Sequence, residues 1–305
     1  MPGEDYVYTY LHLWCRMQDQ TGTFAVRNYL EMTKHLKPQA RRAQKAKADL
    51  LERLPKVSGY KTVHGGFEIN GEKFLINSMG RVFSGKGAPS EIQDAVYLAS
   101  LAGLVTQTTL PAYADSNLGV DCGGFVANYW GMGRPSDSSP APVGWDGFKP
   151  RYIWEMYRSL RRKDPAQIQM DDAAIFFSDV LHDNPDIPAK QRADGSYDSS
   201  TGSQAFHIAL VNKITSAGGG KYWLEIAESS EAAASSGGNG VNVRFVGQDK
   251  DAPQMSANIY GPPSPQSVEI KAVHGLACYV SGKTRVYFVG KPTTDPPYPQ
   301  EHQTT

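Results

Sequence analysis

The chain reads as an α+β fold: an antiparallel sheet of five or six strands packed against a helix that opens on a cysteine, with an N-terminal extension of helices and a hairpin. Three observations predict it. At Val120-Asp121-Cys122-Gly123-Gly124-Phe125-Val126-Ala127-Asn128-Tyr129-Trp130, a capping residue precedes apolar side chains at helical spacing. After it, short apolar runs at 173–177, 205–211, 222–230, 241–246, 275–280 and 285–289 read as strands. Before it lie an alanine-rich helical stretch and a hairpin with an Asn-Gly turn.

The bulk properties bound the answer. The 305 residues suggest about two domains, and 40% hydrophobic with 20% charged residues is ordinary for a globular protein with a core of normal size. Thirty-one basic residues balance 31 acidic ones, so there is no electrostatic footprint for nucleic acid or anionic lipid, and neither is expected as a main partner. Cys15, Cys122 and Cys278 are too few and too scattered for a disulfide framework and form no CxxC pair; reduced thiols are expected. There is no apolar run of 18 residues and no basic-then-apolar leader in Met1-Pro2-Gly3-Glu4-Asp5, so the expected location is cytoplasmic, or outside by a route that reads no signal peptide.

In chain order, Tyr6 to Arg16 is aromatic and β-favouring, which predicts a strand. Thr21 or Thr23 then caps a predicted helix carrying Phe24, Val26, Tyr29, Leu30 and Leu36 and closed by Pro38. A second helix is expected over Gln39 to Leu54, with Arg41, Arg42, Lys45 and Lys47 on a solvated face that is alternatively an anchor for anionic polymer. Phe67 to Ile76 is a hairpin turning at Asn70-Gly71. Gly85 to Pro89 is a break, and Ser90 to Val105 is a helix leading toward Cys122. Residues 1–88 form an N-terminal extension or a small domain, and 89–290 the main domain. Gly131 to Pro150 and Asp179 to Gly202 read as loops, the second a flap or disorder, with a helix over Tyr152 to Arg162 between them. Trp145, Phe148 and Trp154 are at a spacing more often found in cores. Residues 232–240 and 254–266 are connectors, and 291–305 is a disordered tail.

Cys122 is the candidate nucleophile. In the first turn of a helix, the dipole and unpaired N–H groups favour a thiolate and can hold a developing oxyanion. Gly123 and Gly124 leave the approach to sulfur uncrowded. A thiol nucleophile needs an imidazole, and His207 interrupts the apolar run Ala205-Phe206-His207-Ile208-Ala209-Leu210-Val211. Asp171-Asp172-Ala173-Ala174-Ile175-Phe176-Phe177 lies between them as a turn entering a buried strand. His182, Asp183 and Asp186 lack the spacing of a metal site, so no metal or other cofactor is expected.

In order and character, three blocks resemble the NlpC-type cysteine peptidases, papain-like domains that cut peptide bonds of bacterial cell walls. Val120 to Val126 resembles the family's Asp-Cys-Ser-Gly-Phe-Val nucleophile motif, Asp171 to Phe177 its Gly-Asp-Leu-Val-Phe-Phe strand, and Phe206 to Val211 its His-Val-Gly-Ile-Tyr strand. The family's ring-orienting residue sits on the next strand, here Tyr222 to Ser230. Glu228 is preferred to Glu225 there because Ile226-Ala227-Glu228-Ser229-Ser230 resembles the family's ending. A family tyrosine near the oxyanion corresponds to Tyr113, and Asp121 and Gly123 flank the nucleophile as further substrate-binding candidates. Gly123 replaces the family's serine, Ala209 replaces its glycine, and the paired glycines before the nucleophile are missing.

The resemblance implies a cysteine peptidase or amidase acting on peptidoglycan peptides through Cys122, His207 and Glu228, and would make Trp145, Phe148 and Trp154 groove-lining. Such an enzyme would be a lysin or an exported effector, with an inhibitor protein as partner if it is a toxin. Two other readings stay open: an acyltransferase or deamidase on the same fold, and a non-catalytic binding module.

Overall fold

The computed structural model describes residues 1–18, 20–32, 37–132, 149–178, 184–192, 197–198, 201–230, 240–246 and 267–293. It is of mixed α and β class with antiparallel sheets. Trp145, Phe148, His182, Asp183 and the expected segments 232–239, 254–266 and 294–305 lie outside the described residues. The chain divides into two compact units, Met1–Asp5 with Tyr129–Glu228 and Asn242–Thr305, and Tyr6–Asn128 with Ser229–Val241. The stretch 89–290 is thereby shared between them.

The N-terminal elements are α1 (Gly3–Leu11), β1 (Leu13–Arg16), β2 (Thr21–Phe24), α2 (Pro38–Arg53), β3 (Tyr60–Val63), β4 (Gly66–Ile69), β5 (Glu72–Leu75), α3 (Ile76–Val82), α4 (Pro89–Leu101), α5 (Leu110–Asn117) and α6 (Cys122–Tyr129). The strand expected over 6–16 is a helix as far as Leu11 and a strand only from Leu13. Tertiary packing overrides β propensity here. Tyr6 and Tyr10, one helical turn apart, meet edge to face at 5.2 Å and both pack on Phe125, at 5.2 and 5.9 Å.

The helix expected after Thr21 is absent from the described residues. Thr21–Phe24 pairs instead with Leu13–Arg16 as a hairpin. Residues 26–30 then run extended: the Val26 amide donates to the Tyr10 carbonyl at 2.8 Å, and Val120 N–H donates to the Asn28 carbonyl at 3.0 Å. This distant partner, rather than local capping, decides their conformation.

The second helix follows the pattern read from it. Pro38 opens α2 at a first-turn position, which a missing N–H tolerates. Ala40, Ala43, Ala46 and Leu50 form its buried stripe, while Arg41, Arg42 and Lys45 are exposed. Asn70 and Gly71 turn β4 into β5 with φ of 52° and 86°, the geometry of a type I′ turn. A third strand, β3, joins this hairpin. The helix expected over 90–105 ends at Leu101.

The other unit carries α7 (Pro150–Met156), β6 (Ala173–Ser178), β7 (Lys190–Gln191), β8 (Tyr197–Asp198), β9 (Gln204–Gly218), β10 (Lys221–Ser229), β11 (Val241–Phe245), β12 (Val268–Val273), β13 (Leu276–Ser281) and β14 (Thr284–Val289). The helix expected over 152–162 stops at Met156, and a 3₁₀ turn covers Arg158–Leu160. The main sheet has seven strands rather than five or six, in the order β11-β10-β12-β13-β14-β6-β9. Because β9 also pairs with β10, six of them close into a ring with β11 attached outside it.

Alternation along the strands sorts the two faces. Ala174, Phe176, Ala209, Val211, Leu224, Ile226, Ile270, Val286 and Phe288 share one apolar core. Phe177 and Tyr287 pack with Trp154 of α7 at 5.2 and 5.6 Å. Three register shifts interrupt the β6–β9 and β9–β10 ladders, two of which bear on the candidate residues. Phe176 opposes His207 and Phe177 opposes Ala205, leaving Phe206 as the extra residue of a bulge. Glu225 opposes Lys213 and Ile226 opposes Val211, leaving Asn212 as the second. Among the described residues no helix is long and apolar enough to cross a membrane.

Candidate functional site

Cys122 is the first residue of α6 and is buried. Asp121 before it caps the helix: its carboxylate accepts the Gly124 N–H at 2.6 Å. The Lys86 ammonium pairs with the other carboxylate oxygen, and both residues are buried. Burial pushes the Asp121 carboxyl up, while Lys86 and the amides of Gly124 and Gly123 pull it down.

Backbone packing fixes this turn. The Asp121 amide donates to the Gly85 carbonyl at 2.9 Å, and Asn128 donates to the Lys86 carbonyl at 3.0 Å. A Cβ on Gly124 would overlap the Gly85 carbonyl oxygen and lie 3.0 Å from the Lys86 Cα. Gly124 is therefore needed for this close approach of backbone. Gly85 has φ of 80°, and a Cβ there would overlap the Leu30 carbonyl. Glu91 holds the far side of the loop, accepting from the Ala88 amide at 3.0 Å and the Ser78 hydroxyl at 2.8 Å, and pairing with Arg81. Ser229 donates to the Val120 carbonyl at 2.6 Å.

The side chain brought to the sulfur is Tyr29, whose hydroxyl lies 3.8 Å from Cys122 Sγ. Burial pushes the phenol well above its ordinary value, and its neighbours Cys122 and Asp121 add to the shift. It stays protonated and able to donate to a thiolate. No local pattern signals this contact, because Tyr29 reaches Cys122 through the backbone bonds of Asn28 and Leu30 with Val120. Tyr113, the tyrosine expected from the resemblance, sits on α5 with its hydroxyl buried among side chains that offer it no hydrogen bond. Burial pushes that phenol up as well.

His207 and Glu228 lie in the other unit. His207 Nε2 is 2.6 Å from Glu228 Oε2 across the β9–β10 pairing, and Glu228 is 1% exposed. A buried carboxylate there fixes the ring's orientation. Glu225, the other candidate, instead accepts from the Asn212 side chain at the second bulge. Phe176 packs against the His207 ring at 5.2 Å and against Phe206 at 6.4 Å, so the bulge turns Phe206 and His207 toward the same aromatic neighbour.

Asp171, at the position where the resembling motif has glycine, adopts φ of 75°. Its bonds offset that strain: its carbonyl accepts from Trp130 Nε1 at 3.0 Å, and its carboxylate accepts from Tyr129 and pairs with Lys291 at 3.5 Å. Asp186 accepts from Trp154 Nε1 at 3.0 Å and pairs with Arg161. Among the described residues no group of three His, Cys, Asp or Glu side chains is placed to hold a metal ion. The remaining thiols, Cys15 and Cys278, are buried, and burial pushes Cys15 up to about 11.

Cys122, Asp121, Gly123, Tyr29 and Tyr113 thus belong to one unit, and His207 and Glu228 to the other. Compared with known proteins, the chain matches no family model, no curated protein and no solved structure.

Proposed function

We propose that the chain is a cysteine hydrolase cleaving amide bonds of bacterial cell-wall peptides, organised as in the papain-like NlpC-type peptidases, with Cys122 as nucleophile, His207 as acid–base and Glu228 as its orienting partner. The observation that carries this reading is the 2.6 Å contact between His207 Nε2 and a fully buried Glu228. A strand histidine with no chemical duty has little need of a buried carboxylate, which is costly unless it is paired. The capped first-turn position of Cys122 supports the same reading.

In this mechanism the Cys122 thiolate attacks the peptide carbonyl carbon, and backbone N–H groups at the start of α6 hold the oxyanion. As the C–N bond breaks, protonated His207 gives its proton to the departing amine. Water, deprotonated by His207, then cleaves the thioester and restores the thiol. Tyr29, protonated beside the sulfur, is a donor available to the thiolate. Residues 1–88 serve as an extension of the catalytic domain. The protein works on cell-wall fragments in the cytoplasm or after export by a route without a signal peptide, and a toxin of this kind would require an inhibitor protein in its producer.

The experiment is incubation of purified peptidoglycan and its soluble fragments with the parent, Cys122→Ala and His207→Ala, with new amines and cut stem peptides read by mass spectrometry. Release by the parent and loss in both variants is the expected result. Equal release by Cys122→Ala defeats the proposal, and turnover only when an acceptor amine is added moves it to a transferase.

A further inference from the structure

The carboxylate that caps α6 creates an electrostatic problem for a nucleophile. Asp121 adjoins Cys122 in the chain, is buried, and uses one oxygen to cap the Gly124 amide. A buried negative charge one residue away opposes formation of a thiolate. Lys86 answers it from another segment, with its ammonium on the second Asp121 oxygen and only 8% of the residue exposed. Its placement is fixed by the Asn128 bond to its own carbonyl, the Gly85 bond from Asp121, and the Glu91 clip at Ala88. A lysine that only needed a carboxylate partner could find one at the surface. This one is buried against the residue that precedes the proposed nucleophile.

We propose that Lys86 is a positioning residue for Cys122: its ammonium cancels the Asp121 charge, so a helix-capping carboxylate and a reactive thiolate can coexist at the start of α6. The inference rests on reading Cys122 as a nucleophile, but it does not require His207 or any particular substrate.

The test is the second-order rate of Cys122 alkylation by iodoacetamide at pH 7, read by peptide mass spectrometry, with urea unfolding followed in parallel. Lys86→Met keeps the aliphatic stem and removes the charge; it is expected to slow alkylation about tenfold, the effect of uncovering one nearby charge. Lys86→Arg is expected to restore most of the rate. The double variant Lys86→Met/Asp121→Asn retains a capping acceptor without either charge and is expected to recover most of it too.

A purely structural ion pair predicts something else: lost stability, with no recovery of rate in the double variant. Alkylation of folded Lys86→Met at the parent rate overturns the proposal, as does a double variant as slow as the single one. Should Lys86→Met fail to fold, Asp121→Asn alone decides. With the lysine kept and the anion removed it must react faster than the parent, and an equal or slower rate overturns the idea. Alkylation unaffected by His207→Ala defeats the peptidase reading and leaves the Lys86 result standing, so the two failures are distinguishable.

Discussion

Glu225 and Glu228 show what one residue's surroundings decide. Both lie on β10, yet Glu228 is buried against His207 while Glu225 is half-buried and bonded to Asn212. The sequence offered both carboxylates and the family-like ending favoured Glu228; the physical reason, the β9–β10 pairing that sets Glu228 beside His207, is not contained in a single strand. Glu228→Ala removes the carboxylate that His207 meets in a partly buried setting, at a cost of about 1–3 kcal/mol in stability. On the proposed mechanism it lowers the turnover of wall fragments by about 10²–10⁴-fold, whereas Glu225→Ala leaves turnover within a few-fold of the parent. Equal losses in the two variants, measured as initial rates, would remove Glu228 from the site. Cys15 supplies a pH prediction. Its thiol is held at about 11 by burial, so on the order of 10⁻⁴ of it is thiolate at pH 7. Iodoacetamide is expected to spare Cys15 in the folded protein at pH 7, and to label it near pH 11 or at pH 8 in unfolding urea. Labelling of the native protein at pH 7 would mean that β1 opens readily.

At the scale of elements, two glycines that look alike in the sequence do different things. Gly71 has φ of 86° with open space around its Cβ position, so Gly71→Ala carries only the left-handed backbone penalty, about 1–2 kcal/mol. Gly124 is helical and its missing side chain makes room for the Gly85 carbonyl, so Gly124→Ala must displace backbone. It is expected to cost about 2–3 kcal/mol and to slow Cys122 alkylation, because the loop carrying Lys86 moves with it. Urea unfolding of the two variants checks the order; a Gly124→Ala protein as stable as Gly71→Ala would show that the loop yields easily. Elements with local signals were legible. Asn70-Gly71 announced its hairpin, the alanine stripe announced α2, and Asp121 announced the cap of α6. Elements fixed by distant partners were not. The aromatic run at 6–11 became α1 because its rings meet Phe125, and residues 26–30 became extended because they pair near Val120. Tyr29 was hidden for the same reason.

For the molecule as a whole, the antiparallel α+β class was readable from consecutive strand-like runs, but ring closure was not. It depends on β9 pairing with both β6 and β10 and on β12, a strand whose Val268-Glu269-Ile270-Lys271 alternation is short and follows a proline-rich stretch. One ion pair ties this ring together. The Arg162 guanidinium holds Asp172, at the entrance to β6, through two bonds of 2.8 and 2.7 Å, while the Arg162 backbone donates to Phe288 of β14 and accepts from Ala277 of β13. Asp172 is fully buried, and burial raises its carboxyl more than Arg162 lowers it. The folded form therefore holds the proton more tightly than the unfolded chain does, and this group's contribution weakens as pH rises through its folded value. Arg162→Met leaves the charge buried without its partner and is expected to cost about 3–5 kcal/mol at pH 7. Without the guanidinium the carboxyl rises further, so the deficit relative to the parent must shrink as the solution is acidified and Asp172 takes up its proton. Arg162→Met/Asp172→Asn, which buries no charge, should regain most of the loss at pH 7. Urea unfolding of the three proteins at pH 7 and pH 5 measures both effects. A deficit that is the same at the two pH values, or a double variant no more stable than Arg162→Met, would assign the loss to the missing side-chain packing of Arg162 instead of to the unpaired carboxylate.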